Sequence, residues 1–578
     1  GPGPERQRTI HLGVDLFAPA GTTVHTPYDA RVVSVRDNDA LLDYGPTVIL
    51  EHQANGQPFW TLYGHLGRGV MALLEPGQEL QAGDLVGELG HEAENGGWPP
   101  HLHFQVYADD LDSAGNLPGV AFASQLEVWR SLSPNPDLIL RTGLPLTYSP
   151  ADPEAIVAAR QDRLSPSLSL SYSEPLHIVR GIGPWLFDVN GRAWLDGVNN
   201  VCHLGHTHPA VVRAVSRQIS VLNTNTRYLH DNIVRYADEL TGTLPDGLDV
   251  CFFVNSGSEA NDLALRLART ATGRRGTIVL DGGYHGNLSS LVEISSYKFD
   301  GPGGAGPLDS VAKAPSPDAY RSTGATGQDF ACGVERAARD LADRGVPAAA
   351  FIAESILSCG GQVEPPAGYL PAAYAHARKA GALCIADEVQ TGFGRVGHAM
   401  WSFELQGVVP DIVTMGKPIG NGFPLGAVVT TRAIAEAFAN GMEYFNTYGG
   451  NPVSCAAGLA VLKTIRDEGL QDHAREVGDH LKRGLQDLAD RYPLIGDVRG
   501  QGLFLGVEFV KDRATLEPAA EEASWIVNRM KSLGVLLSTD GPLHNVIKIK
   551  PPLAFSRAHA DEMLQKLDLV LQDTCLNP

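Results

Sequence analysis

The chain has 578 residues, 43% of them hydrophobic and 19% charged, with 64 glycines and 38 prolines. That length exceeds one ordinary core, so two or more soluble globular domains are expected. A formal net charge of −21 argues against nucleic acid or an anionic membrane as a main partner.

The chain opens GPGPERQ without a methionine, so native residues are expected upstream of Gly1. Residues 11–107 read as short strands between glycine and proline turns: 31-RVVSV-35, 47-TVILEH-52, 59-FWTLYGH-65, 84-DLVGELG-90 and 101-HLHFQVY-107. Evenly spaced short strands predict a small all-β domain, taken as residues 1–110. Residues 111–164, with 133-SPNPD-137 and 149-SPADPE-154, read as a connector with some local structure. From 165 to 578, apolar strands alternate with amphipathic helices, the pattern of an α/β domain with a parallel-rich central sheet. Its large part is expected at about 216–465, with a small part built from both flanks. No apolar run reaches membrane-spanning length and no signal peptide is visible, so a cytoplasmic protein is expected. The seven cysteines, Cys202, Cys251, Cys332, Cys359, Cys384, Cys455 and Cys575, are widely spaced and odd in number, and several lie in apolar runs such as 382-ALCIAD-387. Free buried thiols in a reducing compartment are the expectation.

In the first domain 11-HLGVD-15, 63-YGH-65 and 101-HLH-103 stand out. Side chains at i and i+2 of a strand share a face, so His101 and His103 can share a site. A hydrolytic zinc site needs three protein ligands and an open position for water. His11, Asp15 and one strand histidine meet that count, and the remaining histidines can orient the water and stabilise an oxyanion. The set, in this order and with 75-EPGQELQAGDLVGELG-90 ahead of it, resembles lysostaphin-type zinc metallopeptidases over residues 8–108. The resemblance implies His11, Asp15 and His103 as metal ligands, with His65 and His101 catalytic. The segment 91-HEAENGGWPP-100 departs from the family's small-residue loop, which bears on the substrate groove.

In the second domain 251-CFFV-254 reads as a buried strand, 255-NSGSE-259 as a turn and the residues from Ala260 as a helix. Ala260, Leu263, Ala264, Leu267 and Ala268 form an apolar stripe at helical spacing. A turn of this kind opening a helix offers free N–H groups to a phosphate. The strand 277-TIVLD-281 leads into Tyr284, which can stack on a flat heterocycle. The buried run 382-ALCIAD-387 ends on Asp387, a carboxylate that is costly there unless it meets a cation such as a pyridinium N–H. Lys417, in 411-DIVTMGKPIGNG-422, ends another strand among small residues. Strand ends are where α/β enzymes bind ligands.

These residues, within a segment of about 165–572, resemble the class III aminotransferases, fold-type I enzymes dependent on pyridoxal 5'-phosphate. The resemblance implies that Lys417 forms the internal Schiff base, Asp387 pairs with the ring nitrogen, and Gln390 reaches the ring hydroxyl. It also implies that Tyr284 stacks, while Gly257 and Ser258 hold the phosphate. Thr447, in 444-YFNTYGGNP-452, is similar to a threonine that crosses a dimer interface, so a homodimer or larger homo-oligomer follows from the family. Arg499 matches an arginine that often binds substrate carboxylate; an internal ion pair is its alternative.

Three longer stretches, 222-LNTNTRYLHDN-232, 441-GMEYFNTYGGNPVSCAAGLAVL-462 and 535-VLLSTDGPLHNVIKIKPP-552, are similar to the amino-phospholyases of phosphoethanolamine and phosphohydroxylysine. That subgroup converts a phosphorylated amino alcohol to aldehyde, ammonia and phosphate, and Arg227 is the candidate for the substrate's phosphate. The phospholyases read Gly-Asn-Gly-His-Pro after the lysine, whereas this chain has 420-GNGFP-424, and Phe423 also suits ordinary class III transaminases. The competing expectations are an omega-transaminase passing an amine to a 2-oxo acid, and a cell-wall zinc endopeptidase with a vestigial cofactor domain. Proteins resembling this one can carry a kinase-like domain ahead of the peptidase-like unit, which would supply a phosphorylated amine.

Overall fold

The computed structural model describes residues 8–40, 43–54, 56–109, 117–122, 125–141 and 152–573; the opening GPGPERQ, Cys575 and parts of the expected connector lie outside them. The chain divides into two compact units, one holding the residues up to Leu170 and the other those from Trp194 onward, with the short stretch between shared out.

The first unit is built on strand alternation. Strands β1 (Val14–Phe17), β2 (Ala30–Asn38), β3 (Gly45–Ala54), β4 (Gln57–Gly64), β5 (Glu79–Leu80) and β6 (His101–Tyr107) form one antiparallel sheet in the order β1-β6-β4-β3-β2-β5. In β6 the residues Leu102, Phe104 and Val106 enter a core with Val48, Leu50 and Tyr63. Period two then puts His101, His103 and Gln105 on the opposite face. The predicted strand at 84–90 is shorter, Leu85–Glu88, and pairs with Thr23–His25 outside this sheet. The strand predicted over 59–65 ends at Gly64, because His65 turns into the left-handed region at a φ of 61°. The connector carries regular pieces: Val120–Phe122 pairs with Arg8–His11, and Pro153–Arg163 is a helix whose Asp152 cap accepts from the Glu154 N–H at 3.2 Å.

The second unit holds a seven-stranded sheet: β7 (Val250–Val254), β8 (Gly276–Leu280), β9 (Val311–Ala314), β10 (Ala348–Glu354), β11 (Leu383–Asp387), β12 (Ile412–Met415) and β13 (Gly426–Thr430). The order is β7-β13-β12-β11-β10-β8-β9, with β13 antiparallel to both neighbours and the other pairings parallel. Helix α1 (Gly257–Thr272) starts three residues before the predicted Ala260. Ser256 sets that start by accepting from the Glu259 N–H at 3.1 Å. The predicted stripe of Ala260, Leu263, Ala264, Leu267 and Ala268 is buried against the sheet core. A smaller sheet follows, β14 (Ile495–Gln501), β15 (Phe504–Asp512), β16 (Ser538–Asp540) and β17 (Val546–Ile549), ordered β14-β15-β17-β16.

Parallel pairing aligns the carboxy ends of the central strands. Glu354 of β10 sits in register with Asp387 of β11, and Lys417 follows β12 by one residue after Gly416. Cys384 and Cys455 are buried free thiols as expected, but Cys332 is exposed, so the expectation of buried thiols fails there. Among the described residues no helix is long and apolar enough to cross a membrane.

Gly416 is what lets the lysine segment close on the start of α1. A Cβ there would lie 2.9 Å from the Gly257 Cα and 3.0 Å from its nitrogen, and backbone atoms cannot yield as a side chain can. Gly416→Ala is therefore expected to cost about 1–3 kcal/mol through overpacking, read as a lower urea midpoint. An unchanged midpoint would show that the seam is looser than described.

Candidate metal centre and candidate active site

In the first unit the sheet register performs the assembly. Asp15 of β1 pairs directly opposite His103 of β6, and His11 lies one turn of chain away. One ligand atom each from His11, Asp15 and His103 lie within 4.8 Å of one another. His103 Nδ1 is 3.1 Å from Asp15 Oδ1 and 3.0 Å from His11 Nε2, and His11 Nε2 is 3.3 Å from Asp15 Oδ1. Burial raises the Asp15 carboxyl, but its neighbours His103 and His11 outweigh it and hold the group well below the ordinary carboxylate range.

The tautomer of His103 follows from its other nitrogen. Nε2 is 3.1 Å from Gln105 Oε1, and Gln105 Nε2 donates to Ser133 Oγ at 3.0 Å. Ser133 gives its own proton to a backbone carbonyl, that of Val106 lying at 2.9 Å, so it must accept from Gln105; the amide oxygen is left for His103, whose Nε2 carries the proton and whose Nδ1 faces Asp15 and His11. The donor set of two imidazoles and one carboxylate fits zinc with an open position. Gln105 was not singled out from sequence, although it stands at i+2 from His103 on the same strand face.

His65 and His101 stand beside this cluster, with ring centroids 4.3 Å apart. His65 Nδ1 bonds the Asn95 carbonyl at 2.9 Å and His101 Nδ1 the Pro99 carbonyl at 2.6 Å, which turns each Nε2 away from the backbone. His101 Nε2 is 3.7 Å from Asp15 Oδ1. Burial pushes His65 down to about 4, so the ring is neutral near pH 7. The departing loop at 91–100 brings Trp98 to 6.0 Å from the His65 ring, and exposed Phe17 stacks on His101 at 4.9 Å.

In the second unit a cavity of about 120 Å³ is lined by Gly257, Ser258, Tyr284, Asp387, Gln390 and Lys417, six of the residues expected to meet there. Asn261, His285 and Glu354 line it as well and were not anticipated. Lys417 is half-buried with a φ of 21°, at the first position of a short 3-10 turn. Ser258 Oγ accepts from the Asn287 N–H at 3.1 Å.

Asp387 is 3% exposed. Its Oδ2 accepts from Asn261 Nδ2 at 2.8 Å and faces His285 Nδ1 at 2.8 Å, while Oδ1 accepts from the Val389 N–H at 3.1 Å. Beside it, Glu354 Oε1 accepts from Ser358 Oγ and, at 3.2 Å, from the Ser358 N–H. Burial and the neighbouring Asp387 push Glu354 up to about 7. Glu354 Oε2, His285 Nε2 and Asn261 Oδ1 are buried without a hydrogen-bond partner. Orphaned polar atoms around a cavity that also holds a lysine and a helix start are what a polar, phosphate-bearing ring would satisfy.

The other expected contacts fall elsewhere. Thr447, expected to serve a neighbouring subunit's cofactor, is exposed and does not line this subunit's own cavity. Arg227 is also exposed, 3.1 Å from Glu443 Oε1, with its guanidinium 4.3 Å over the Phe445 ring. Arg499 is buried and occupied: Nε donates to the Gly361 carbonyl at 2.8 Å, and Nη1 meets Asp497 Oδ2 at 2.9 Å and Glu508 Oε2 at 2.6 Å. It lines a separate cavity of about 730 Å³ with Arg321 and His544. Phe423 packs half-buried against the main hydrophobic core.

Comparison with known proteins matches residues 169–571 to the aminotransferase class-III family and residues 9–114 to peptidase family M23. The chain is 52% identical over 419 residues to an "Alanine--glyoxylate aminotransferase 2-like" protein of Drosophila melanogaster, covering 71% of this chain and 85% of the relative. It is 43% identical to "Ethanolamine-phosphate phospho-lyase homolog 1" of Caenorhabditis elegans, covering 72% and 93%. A solved phospholyase from Arthrobacter in complex with phosphoethanolamine superposes with a TM-score of 0.69 at 40% identity, over 72% of this chain and 99% of that one.

The tautomer argument for His103 has a direct consequence. Gln105→Leu, which removes the acceptor and keeps most of the volume, is expected to weaken zinc affinity by about 10–100-fold in a competition titration. Equal affinity in the two proteins would contradict the assigned role.

Proposed function

The chain belongs to the class III aminotransferases, and from that premise we propose that it is a pyridoxal 5'-phosphate-dependent amino-phospholyase, releasing aldehyde, ammonia and phosphate from a small phosphorylated amine. The observation that carries the choice of lyase over transaminase is the state of Arg499. A transaminase must bind the carboxylate of a 2-oxo acid, and Arg499, the residue expected for that task, already spends its Nε and Nη1 on Gly361, Asp497 and Glu508. The relatives support the same choice, since two of them bear phospholyase names and one is solved with phosphoethanolamine.

When bound, the cofactor supplies an aldehyde for the substrate amine and a ring that accepts electrons. Lys417 would hold that aldehyde, give way to the substrate, and take the proton from the carbon bearing nitrogen. Loss of phosphate from the adjacent carbon completes a β-elimination, and water then releases ammonia and aldehyde. Asp387, fixed by Asn261 and His285, would keep the ring nitrogen protonated. Burial and the adjacent Asp387 raise Glu354 to about 7, which lessens the negative charge at that edge. The free N–H groups opening α1, with Gly257 and Ser258, would take the cofactor phosphate.

Arg227 is the proposed partner of the substrate phosphate. Its ion pair with Glu443 is exposed and so worth little, which leaves the guanidinium free to exchange partners. Exposed Val221, Tyr228, Leu229, Met442 and Tyr448 lie on the two segments that carry Arg227 and Thr447. Such a concentration of exposed apolar side chains supports a homodimer in which these segments are covered, with Thr447 reaching the partner's cofactor phosphate. In the M23 domain, His11, Asp15 and His103 would hold zinc, and His65 and His101 would orient a water for peptide hydrolysis.

Incubated with pyridoxal 5'-phosphate and O-phosphoethanolamine, the purified protein is expected to release phosphate and ammonia in equal amounts with no 2-oxo acid present. Lys417→Ala should lower that rate by at least about 10³-fold, and Arg227→Ala should lower kcat/KM by about 10–100-fold, the worth of a charge-assisted contact. Turnover that requires a 2-oxo acid would make the enzyme a transaminase.

A further inference from the structure

Gln390 lines the cofactor cavity, and its amide is held from behind. Its Oε1 accepts from Asn200 Nδ2 at 2.8 Å and from Lys550 Nζ at 3.2 Å. Its Nε2 donates to Ser358 Oγ at 2.5 Å, and that hydroxyl donates to Glu354 Oε1. Most of this chain could run either way. Asn200 can turn its own amide over, and a hydroxyl can donate or accept. Lys550 cannot reverse, because an ammonium has three donors and no acceptor.

Lys550 is 2% exposed and paired with a carboxylate. Its Nζ is 3.2 Å from Asp540 Oδ2 and 4.7 Å from the centre of the Phe504 ring. Burial lowers its pKa overall and Lys548 adds to that, while the Asp540 carboxylate favours the charged form; Cys359 and Glu354 are the other ionisable groups that interact with it. Asp540 is held in turn by Lys548 at 3.1 Å and by Gln362 Nε2 at 2.9 Å.

We propose that Lys550 is a positioning residue which locks the Gln390 amide, so that the cavity receives an N–H donor and never the carbonyl. This rests on the cofactor reading above, in which Gln390 faces the ring hydroxyl. A donor at that place stabilises the ring oxygen as an anion, whereas a carbonyl would demand that the oxygen keep its proton. The amide has two N–H groups, and Ser358 uses one of them, which leaves one to present.

The test uses the full chain loaded with pyridoxal 5'-phosphate at neutral pH. Its readout is the ratio of visible absorption, from the form with an anionic ring oxygen, to near-ultraviolet absorption, from the form with a neutral one. Lys550→Met combined with Asp540→Asn avoids stranding a buried charge, and should lower the ratio about fivefold, the weight of one net hydrogen bond. Lys550→Arg should restore it to within about twofold. Gln390→Glu, which keeps acceptors for Lys550 and Asn200 but lacks the N–H, should lower it likewise and stands in if the double variant does not fold. A loaded variant, either Lys550→Met with Asp540→Asn or Gln390→Glu, with the parent's ratio overturns the proposal. A parent that gains no visible absorption overturns the cofactor reading itself, which separates the two failures.

Discussion

Two carboxyl groups end neighbouring parallel strands in register, Glu354 and Asp387, and both are buried. Two anions that close together in a low-dielectric setting cannot both persist without compensation. Much of the second unit's polar architecture answers that constraint. Asn261, in the first turns of α1, and His285, just beyond β8, converge on Asp387. Ser358 takes Glu354, and Gln390 and Lys550 extend the network to the small sheet. Burial and Asp387 together push Glu354 up toward neutrality, which eases the repulsion beside the cavity that both carboxyls line.

The metal centre solves a related problem with the same means. At each site a glutamine amide takes one of two orientations that shape alone would not distinguish. Gln105 decides which nitrogen of His103 carries the proton, and at the second site the Gln390 amide is the group whose orientation Lys550 is proposed to fix. The direction is set at the first site by backbone carbonyls that can only accept the Ser133 proton, and at the second, in the proposal, by the Lys550 ammonium that can only donate.

The sequence was most informative where several short segments with a physical signal occur together. The His-Leu-His spacing on a strand, the glycine-serine turn before an amphipathic stripe, and a buried run ending on Asp387 were weak signals alone and became legible through the other features found with them. Lys417 was legible because it ends a strand in a chain that also offers the phosphate turn, Tyr284 and Asp387 at strand ends. Glu354 has the same signature as Asp387, an apolar run closing on an acid, and could have been found by looking for a second instance. Lys550 could not, since nothing local ties it to Gln390, 160 residues earlier in the chain. The engagement of Arg499 depends on the pairing of β14 with β15, which brings Glu508 to it, and register of that kind is set by the whole sheet. Thr447 and Arg227 were read as site residues, and both stand exposed and away from the cavity, because one subunit does not by itself say what covers these segments.

All of this presupposes that Lys417 is the residue that carries the cofactor. Reduction of the loaded protein with borohydride, followed by digestion and mass mapping, reads that point directly. The account predicts a pyridoxyl-phosphate adduct on the peptide containing Lys417 and none elsewhere in stoichiometric yield. An adduct on Lys550 or Lys298 instead, or no adduct at all in protein that retains its fold, would contradict it.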